Sequence, residues 1–166
     1  MDYLWSPWRY AYVSGAAHRD VCIFCEMGSD PARDRERLVV HRGNFNLIVL
    51  NRFPYTSGHV MIAPYKHVAA LADLDLETLA EMMALARTLE TVLRNAYRPD
   101  GYNIGMNLGR AAGAGIADHL HFHVLPRWIG DVNFMTAVGD TRVLPEDLNT
   151  SYEKLAGFFR QAGAVP

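Results

Sequence analysis

The stretch that decides the fold is Asp118-His119-Leu120-His121-Phe122-His123-Val124-Leu125-Pro126-Arg127. Successive side chains of a β-strand point to opposite faces. The alternation therefore predicts a strand with three imidazoles on one face, about 6.6 Å apart, and with apolar side chains anchoring its other face in the core. A chance row of solvent-exposed histidines does not account for so strict a pattern.

Two kinds of chemistry use such a row of imidazoles. Neutral histidines are common metal ligands, and one histidine can also be a nucleophile whose neighbours fix its tautomer. The preceding loop, Gly109-Arg110-Ala111-Ala112-Gly113-Ala114-Gly115, has small side chains that let backbone N–H groups approach an anion. A catalytic metal centre would usually add a carboxylate, but Asp118 falls on the opposite face. The loop therefore favours a phosphate cradle beside a nucleophile.

The flanking segments predict an α+β fold. Apolar runs at 46–50 and 59–63, separated by Pro54 and Gly58, indicate a β-hairpin. Apolar residues at three- and four-residue steps over 73–97 predict one long helix, capped by Asp73 or Asp75. Further segments with regular patterns are short strands at 38–40 and 102–107 and a shorter helix at 145–162. Strands, a helix and more strands favour an antiparallel sheet.

The chain is long enough for one domain with its own core, at 166 residues. We divide it into an N-terminal arm (1–37) with a polar loop at 28–37, a core (38–135), and a C-terminal extension (136–166) packed on the same domain. His18 and His41 are interpreted as surface histidines, and His59 as part of the active-site network or of the packing.

The composition limits the partners. Half of the residues are hydrophobic, 20% are charged and the formal net charge is −2, which gives no electrostatic reason to expect a nucleic-acid polymer or an anionic membrane. The chain shows no secretory signal and no run of about 20 apolar residues, so we expect a cytoplasmic protein. Its two cysteines, Cys22 and Cys25, form a C-x-x-C motif. That spacing indicates half of a metal site, a redox pair, or two unrelated buried thiols.

The segment from about 38 to 131 resembles the histidine triad (HIT) superfamily. His119 to Leu125 match the family pattern H-φ-H-φ-H-φ-φ, and Asn51-Arg52-Phe53-Pro54-Tyr55-Thr56-Ser57-Gly58-His59-Val60 is similar to the family's nucleotide-binding hairpin. Leu125-Pro126-Arg127 and the opening Leu4-Trp5-Ser6-Pro7-Trp8-Arg9 are closer to the Fhit-like hydrolases and bacterial diadenosine tetraphosphate phosphorylases than to the phosphoramidase (Hint) branch.

The resemblance implies a homodimer with one antiparallel sheet continued across both chains, and a substrate such as a dinucleoside polyphosphate with AMP as one half. His121 would attack the α-phosphorus and form a nucleotidyl-histidine, with His123 beside the phosphate. Asn51 would hold the ribose and Asn107 the phosphate region. The backbone of Gly113 and Gly115 would line the phosphate site, and magnesium can accompany the polyphosphate.

One departure leaves the acceptor of the nucleotidyl group open. Relatives often carry a polar side chain where this chain has Gly115 and Ile116, so hydrolysis and phosphorolysis both stay open. The alternatives are a Hint-type phosphoramidase, a nucleotide-binding module with incidental catalysis, and a zinc enzyme that uses the triad as ligands.

The resemblance also implies a metal site. Many relatives with an N-terminal C-x-x-C bind zinc with two histidines, which by position would be His67 and His119 beside Cys22 and Cys25. Such a closed Cys₂His₂ set is a structural site rather than a catalytic one. Some relatives lack the cysteines and the first histidine together, which implies that this site is dispensable for catalysis.

Overall fold

Five antiparallel strands form one open sheet in the computed structural model, which describes residues 21–132, 136, 138 and 144–161. Their spatial order is β1-β2-β3-β5-β4, and every neighbouring pair is antiparallel. The strands are β1 (Val39–Arg42), β2 (Asn46–Leu50), β3 (Val60–Pro64), β4 (Gly101–Met106) and β5 (Phe122–Arg127). The predicted α+β fold with an antiparallel sheet is confirmed, with the first strand shifted because Leu38 adopts a left-handed backbone (φ 64°).

The predicted hairpin of β2 and β3 forms the centre of the sheet. Ile48 lies opposite Ile62, and both are fully buried. On the other side of β3, Ile62 pairs with Phe122 and Met61 with His123. The hairpin register therefore places the segment before β3 directly beside the histidine-bearing strand.

The long helix, α3 (Leu76–Tyr97), packs on β2, β3 and β5. It begins three residues later than the earliest predicted start because Asp75, and not Asp73, accepts a hydrogen bond from the Thr78 N–H at 2.8 Å. A 3₁₀ turn occupies Leu71–Asp73 instead. The periodicity places Met82 and Met83 on the core face; Met82 is buried as predicted, but the prediction for Met83 is wrong, because its side chain lies beside the buried face and is 58% exposed.

The C-terminal helix, α4 (Leu148–Gln161), packs on α3 and β1. Its Phe159 stacks on His41 with ring centroids 4.7 Å apart. The prediction that His41 is a surface histidine is therefore wrong, because α4 covers it and its Nε2 is buried without a hydrogen-bond partner among the described residues. His18 and the rest of 1–20 lie outside the described residues.

The segment predicted as a polar loop (28–37) is largely helical. After α1 (Ile23–Ser29), a 3₁₀ turn at Pro31–Arg33 leads into α2 (Asp34–Arg37). Local side-chain bonds explain the difference, since the Asp30 carboxylate accepts the Ala32 N–H at 3.2 Å and Arg33 pairs with Glu36. None of the helices within the described ranges is long and apolar enough to cross a membrane.

Candidate active site and metal centre

The three histidines do not form the uniform row that alternation predicts. Strand β5 begins at Phe122, so only His123 belongs to it, and His119 and His121 lie in the segment before it. That segment is tied to the chain after β3 instead of to a strand neighbour: the Leu120 N–H donates to Val68 O at 2.7 Å, and His119 Nε2 lies 2.9 Å from Pro64 O. The three rings therefore have different surroundings.

One ring nitrogen of His121 forms a hydrogen bond with the backbone. Its Nδ1 lies 2.8 Å from the carbonyl oxygen of His119, and because a carbonyl only accepts, Nδ1 carries the proton. Nε2 therefore keeps its lone pair. Burial lowers the pKa of His121 below its ordinary value, although the bond to His119 O acts in the opposite direction. The lowered pKa favours the neutral ring near pH 7, with its lone pair on Nε2.

A fourth histidine, His59, orients His123. The Tyr55 N–H donates to His59 Nδ1 at 3.2 Å, and the Asn51 side-chain amide lies 3.3 Å from the same nitrogen. Nδ1 of His59 is therefore an acceptor, and its Nε2 carries the proton that is donated to His123 Nδ1 at 2.9 Å. This in turn places the proton of His123 on Nε2. His59 is completely buried, and its interpretation as a member of the network is confirmed.

The predicted nucleotide-binding residues lie around this network. Asn51 contacts His59 and accepts the Phe53 N–H at 3.0 Å. Asn107 directly follows β4, where Gly105 pairs with His123 and Met106 with Phe122, so continuing the register sets it opposite His121. In the small-residue loop, the Gly113 N–H closes a 3₁₀ turn on Arg110 O. The loop therefore offers an anion its later N–H groups, starting with that of Gly115.

The four predicted metal ligands come together in one cluster. Cys22 Sγ lies 3.2 Å from His119 Nδ1, Cys25 Sγ lies 3.3 Å from His67 Nδ1, and the two Nδ1 atoms are 3.2 Å apart. All four ligand atoms lie within 4.8 Å of one another. A tetrahedral zinc with ordinary Zn–S and Zn–N bonds requires ligand separations of about 3.3–3.8 Å, so the cluster has the size of a zinc site.

The protonation of His119 also fits a metal. Its Nε2 bonds Pro64 O, so this nitrogen donates and Nδ1 faces the cluster with a lone pair. Burial lowers the pKa of His119, which favours the neutral ring that a metal ligand requires. Two sulfurs and two imidazole nitrogens are the donor set that zinc prefers.

Phe24 lies between the two cysteines and contacts two of the histidines, a role that the sequence pattern did not indicate. Its ring is 1% exposed and lies 5.1 Å from the ring centroids of both His119 and His121. The sequence signal for it is only its place as an apolar residue inside the C-x-x-C motif.

These features define an α+β protein with a buried imidazole, His121, directly before β5, beside the hydrogen-bonded pair His59 and His123 and a Cys₂His₂ cluster. Such a constellation is suited to covalent transfer of a phosphorus-bound group, because imidazole attacks and then leaves phosphorus readily.

The comparison with protein families agrees with this class. The model of the HIT domain matches residues 33–128. The chain belongs to the histidine triad (HIT) family.

The chain is also similar to individual named proteins. An AP-4-A phosphorylase of Mycobacterium tuberculosis is 43% identical over 164 residues, covering 92% of this chain and 82% of the relative. An adenosine 5'-monophosphoramidase of Schizosaccharomyces pombe is 26% identical over 137 residues, covering 81% and 96%. The crystal structure of a zinc-bound histidine triad family protein from Mycobacterium smegmatis matches with a TM-score of 0.67 and 30% identity, covering 85% of this chain and 94% of that one.

Proposed function

We propose that this protein cleaves dinucleoside polyphosphates, such as diadenosine tetraphosphate, at the α-phosphate through a nucleotidyl-histidine intermediate on His121. The main observation behind this proposal is the hydrogen bond from His121 Nδ1 to His119 O, which leaves Nε2 as the nucleophilic nitrogen. The likeness to a protein named AP-4-A phosphorylase supports the substrate class.

In the first step, His121 Nε2 attacks the α-phosphorus. A P–N bond forms and the bridging P–O bond breaks, so that diadenosine tetraphosphate releases ATP and leaves an adenylyl group on the ring. The departing group is the terminal phosphate oxygen of ATP, which is stable as an anion and therefore needs little protonation. His123, whose Nε2–H is set by His59, donates a hydrogen bond to the phosphate and balances its developing charge.

In the second step, an acceptor attacks the same phosphorus and restores neutral His121. Inorganic phosphate yields ADP, and water yields AMP. We propose phosphorolysis as the main reaction, because the 43% identical relative carries the name of a phosphorylase. Asn51 would hold the ribose, Asn107 the phosphate region, and the backbone of Gly113 and Gly115 would line the phosphate site. Magnesium would accompany the substrate polyphosphate rather than occupy a site of its own.

Zinc is the metal we propose for the cluster of Cys22, Cys25, His67 and His119. All four ligand positions would come from the protein, so the metal would have no open position for substrate. It would stabilise the fold by joining α1 to the segments after β3 and before β5, and it would take no part in the bond-making steps. The zinc-bound Mycobacterium smegmatis neighbour supports this choice.

We further propose a homodimer whose sheet continues across the two copies. Strand β4 is an edge strand, and Ile104 within it is 47% exposed. A regular edge with exposed apolar side chains is suited to pairing with a second strand. The reducing cytoplasm is the proposed compartment because Cys22 and Cys25 are free thiols, and neither a nucleic-acid polymer nor a membrane is a proposed partner.

Product analysis tests the reaction. The purified protein is incubated with diadenosine tetraphosphate, with and without inorganic phosphate, and the nucleotides are separated. We expect ATP and ADP in equal amounts, at a rate that rises with phosphate. ATP with AMP at a rate independent of phosphate would instead identify a hydrolase.

Rapid denaturation at alkaline pH during turnover should trap a nucleotide bound to protein by a P–N bond that survives base and is lost on later acid treatment, and His121→Asn is the matched control without it. Absence of turnover, combined with rapid cleavage of adenosine 5'-phosphoramidate, would overturn the proposal in favour of the phosphoramidase alternative. Tight nucleotide binding with negligible turnover of either substrate would favour a binding module.

A further inference from the structure

Phe24 connects the metal cluster with the nucleophile. It is the one buried residue of α1, at 1% exposure, and the cysteines on either side of it belong to the cluster. Its ring contacts His119, a proposed zinc ligand, and His121 at the same centroid distance of 5.1 Å.

The imidazole of His121 is confined from two directions. Phe24 packs on it with an interplanar angle of 33°, and His123 meets it edge-on at 5.0 Å and 74°. The hydrogen bond from Nδ1 to His119 O sets the torsion of the ring about the Cβ–Cγ bond, but a single hydrogen bond does not prevent the ring from rocking about that orientation. The two ring contacts supply the missing restraint and thereby fix the direction in which Nε2 points.

The position of Phe24 is itself fixed at both ends of α1. At the first end, Cys22 and Cys25 belong to the metal cluster. At the other end, the guanidinium of Arg42 binds the carbonyl oxygens of Met27 and Gly28 and the Asp34 carboxylate. Because both ends of α1 are anchored, the helix holds the Phe24 ring in contact with His121.

We infer that Phe24 is a positioning residue, which holds the His121 ring with Nε2 in line with the α-phosphorus, and that the metal cluster sets its place. The inference rests on the proposed function, in which His121 is the nucleophile. A misdirected nucleophile costs the chemical step far more than substrate binding, since a displacement of about 1 Å is enough to lose on the order of 100-fold in rate.

The test compares Phe24→Leu with Phe159→Leu. Both parent residues are buried phenylalanines on a helix, and each packs on a histidine ring. Phe159, however, contacts His41 and lies outside the proposed site. Both variants should lose similar thermal stability. Only Phe24→Leu should reduce kcat, by about 10- to 100-fold, with KM changed less than about threefold.

Two further measurements separate positioning from loss of the metal. Zinc content per chain is determined for each variant, and we expect Phe24→Leu to retain it. Nitrogen-15 spectra of the histidine rings should then show the fixed Nδ1–H tautomer of His121 in the parent protein, and broadened or averaged signals in Phe24→Leu. Phe24→Met, which keeps nearly all of the side-chain volume without the flat ring, repeats the test if the leucine variant does not fold.

An unchanged kcat and unchanged His121 ring signals in a zinc-loaded Phe24→Leu protein would overturn the inference. A loss of kcat that Phe159→Leu shares would also overturn it, because the effect would then be one of general stability. If the parent protein itself turns over no dinucleoside polyphosphate, the proposed function fails, but the ring spectra still decide whether Phe24 orients His121.

Discussion

His119 and His121 lie two residues apart, yet the protein presents opposite nitrogens of the two rings. His119 donates from Nε2 to Pro64 O and turns Nδ1 towards the two cysteines and His67. His121 donates from Nδ1 to His119 O and keeps its lone pair on Nε2. The same residue type in the same sequence repeat therefore keeps its lone pair on Nδ1, facing the Cys–His cluster, in one position and on Nε2 in the next.

The difference shows that backbone carbonyls assign the chemistry. A neutral imidazole has one donor and one acceptor nitrogen, so the carbonyl that takes the proton decides which nitrogen stays reactive. At His119 this carbonyl comes from the end of β3, and at His121 it comes from His119 itself. The segment before β5 thus connects the Cys–His cluster at His119 with the proposed reaction site at His121. We expect substitutions in the cluster to change mainly the thermal stability, and substitutions at the reaction site to change mainly kcat.

The largest effect is expected at the nucleophile. His121→Asn keeps a polar side chain of smaller size but removes the nitrogen that attacks, so turnover of diadenosine tetraphosphate should fall by about 10⁴-fold or more. AMP binding, measured by calorimetry, should change little. Full activity in this variant would exclude the proposed mechanism.

A smaller loss is expected behind the nucleophile. His59→Phe fills the buried position but can neither accept from Tyr55 nor donate to His123. The tautomer of His123 is then no longer fixed, and kcat should fall by about 100-fold. Because His59 does not touch the substrate, KM should stay nearly constant. A rise in KM at constant kcat would show that the residue serves binding instead.

On the metal side, the expected response is in stability. Removing zinc with a chelator, or replacing Cys25 with Ser, should lower Tm by about 10 °C. It should reduce kcat less than Phe24→Leu does, because Arg42 still holds the other end of α1. Scanning calorimetry and assays at a temperature where the protein stays folded measure both effects. Complete loss of activity with unchanged Tm would reverse the comparison and favour a zinc enzyme.

The smallest effect is expected at His41, which lies away from both sites. Burial against Phe159 lowers the pKa of this histidine, while the Glu81 carboxylate on α3 acts in the opposite direction. The unfolded chain therefore binds more protons between the lowered pKa and about 6.5. The contribution of His41 to stability should be full above that window and decrease as the pH falls through it.

His41→Phe should remove this acid-sensitive contribution while keeping the stacked ring. Urea unfolding at pH 5.5 and pH 7.5, chosen to lie on either side of about 6.5, measures it as the difference between parent and variant. An equal difference at both pH values would contradict the assignment.

Much of the fold follows from local patterns that proved reliable. The hairpin of β2 and β3, the long helix α3 and the C-terminal helix α4 were all predictable, because each carries its own periodicity and its own caps or turns. Two of the errors have different causes, one local and one non-local. The helical turns of 31–37 depend on weak local bonds, and His41 is covered by a helix more than 100 residues later in the chain.

The sequence by itself determined that three histidines would follow a small-residue loop, and that a C-x-x-C motif would be available for a metal. Spacing alone carries this information, since the family pattern is written in consecutive residues. Only the tertiary structure decided which nitrogen of each ring is free and that Phe24 touches both His119 and His121. Pro64 O and the Phe24 ring come from distant parts of the chain, and the carbonyl of His119 reaches His121 only because the segment before β5 leaves the regular strand.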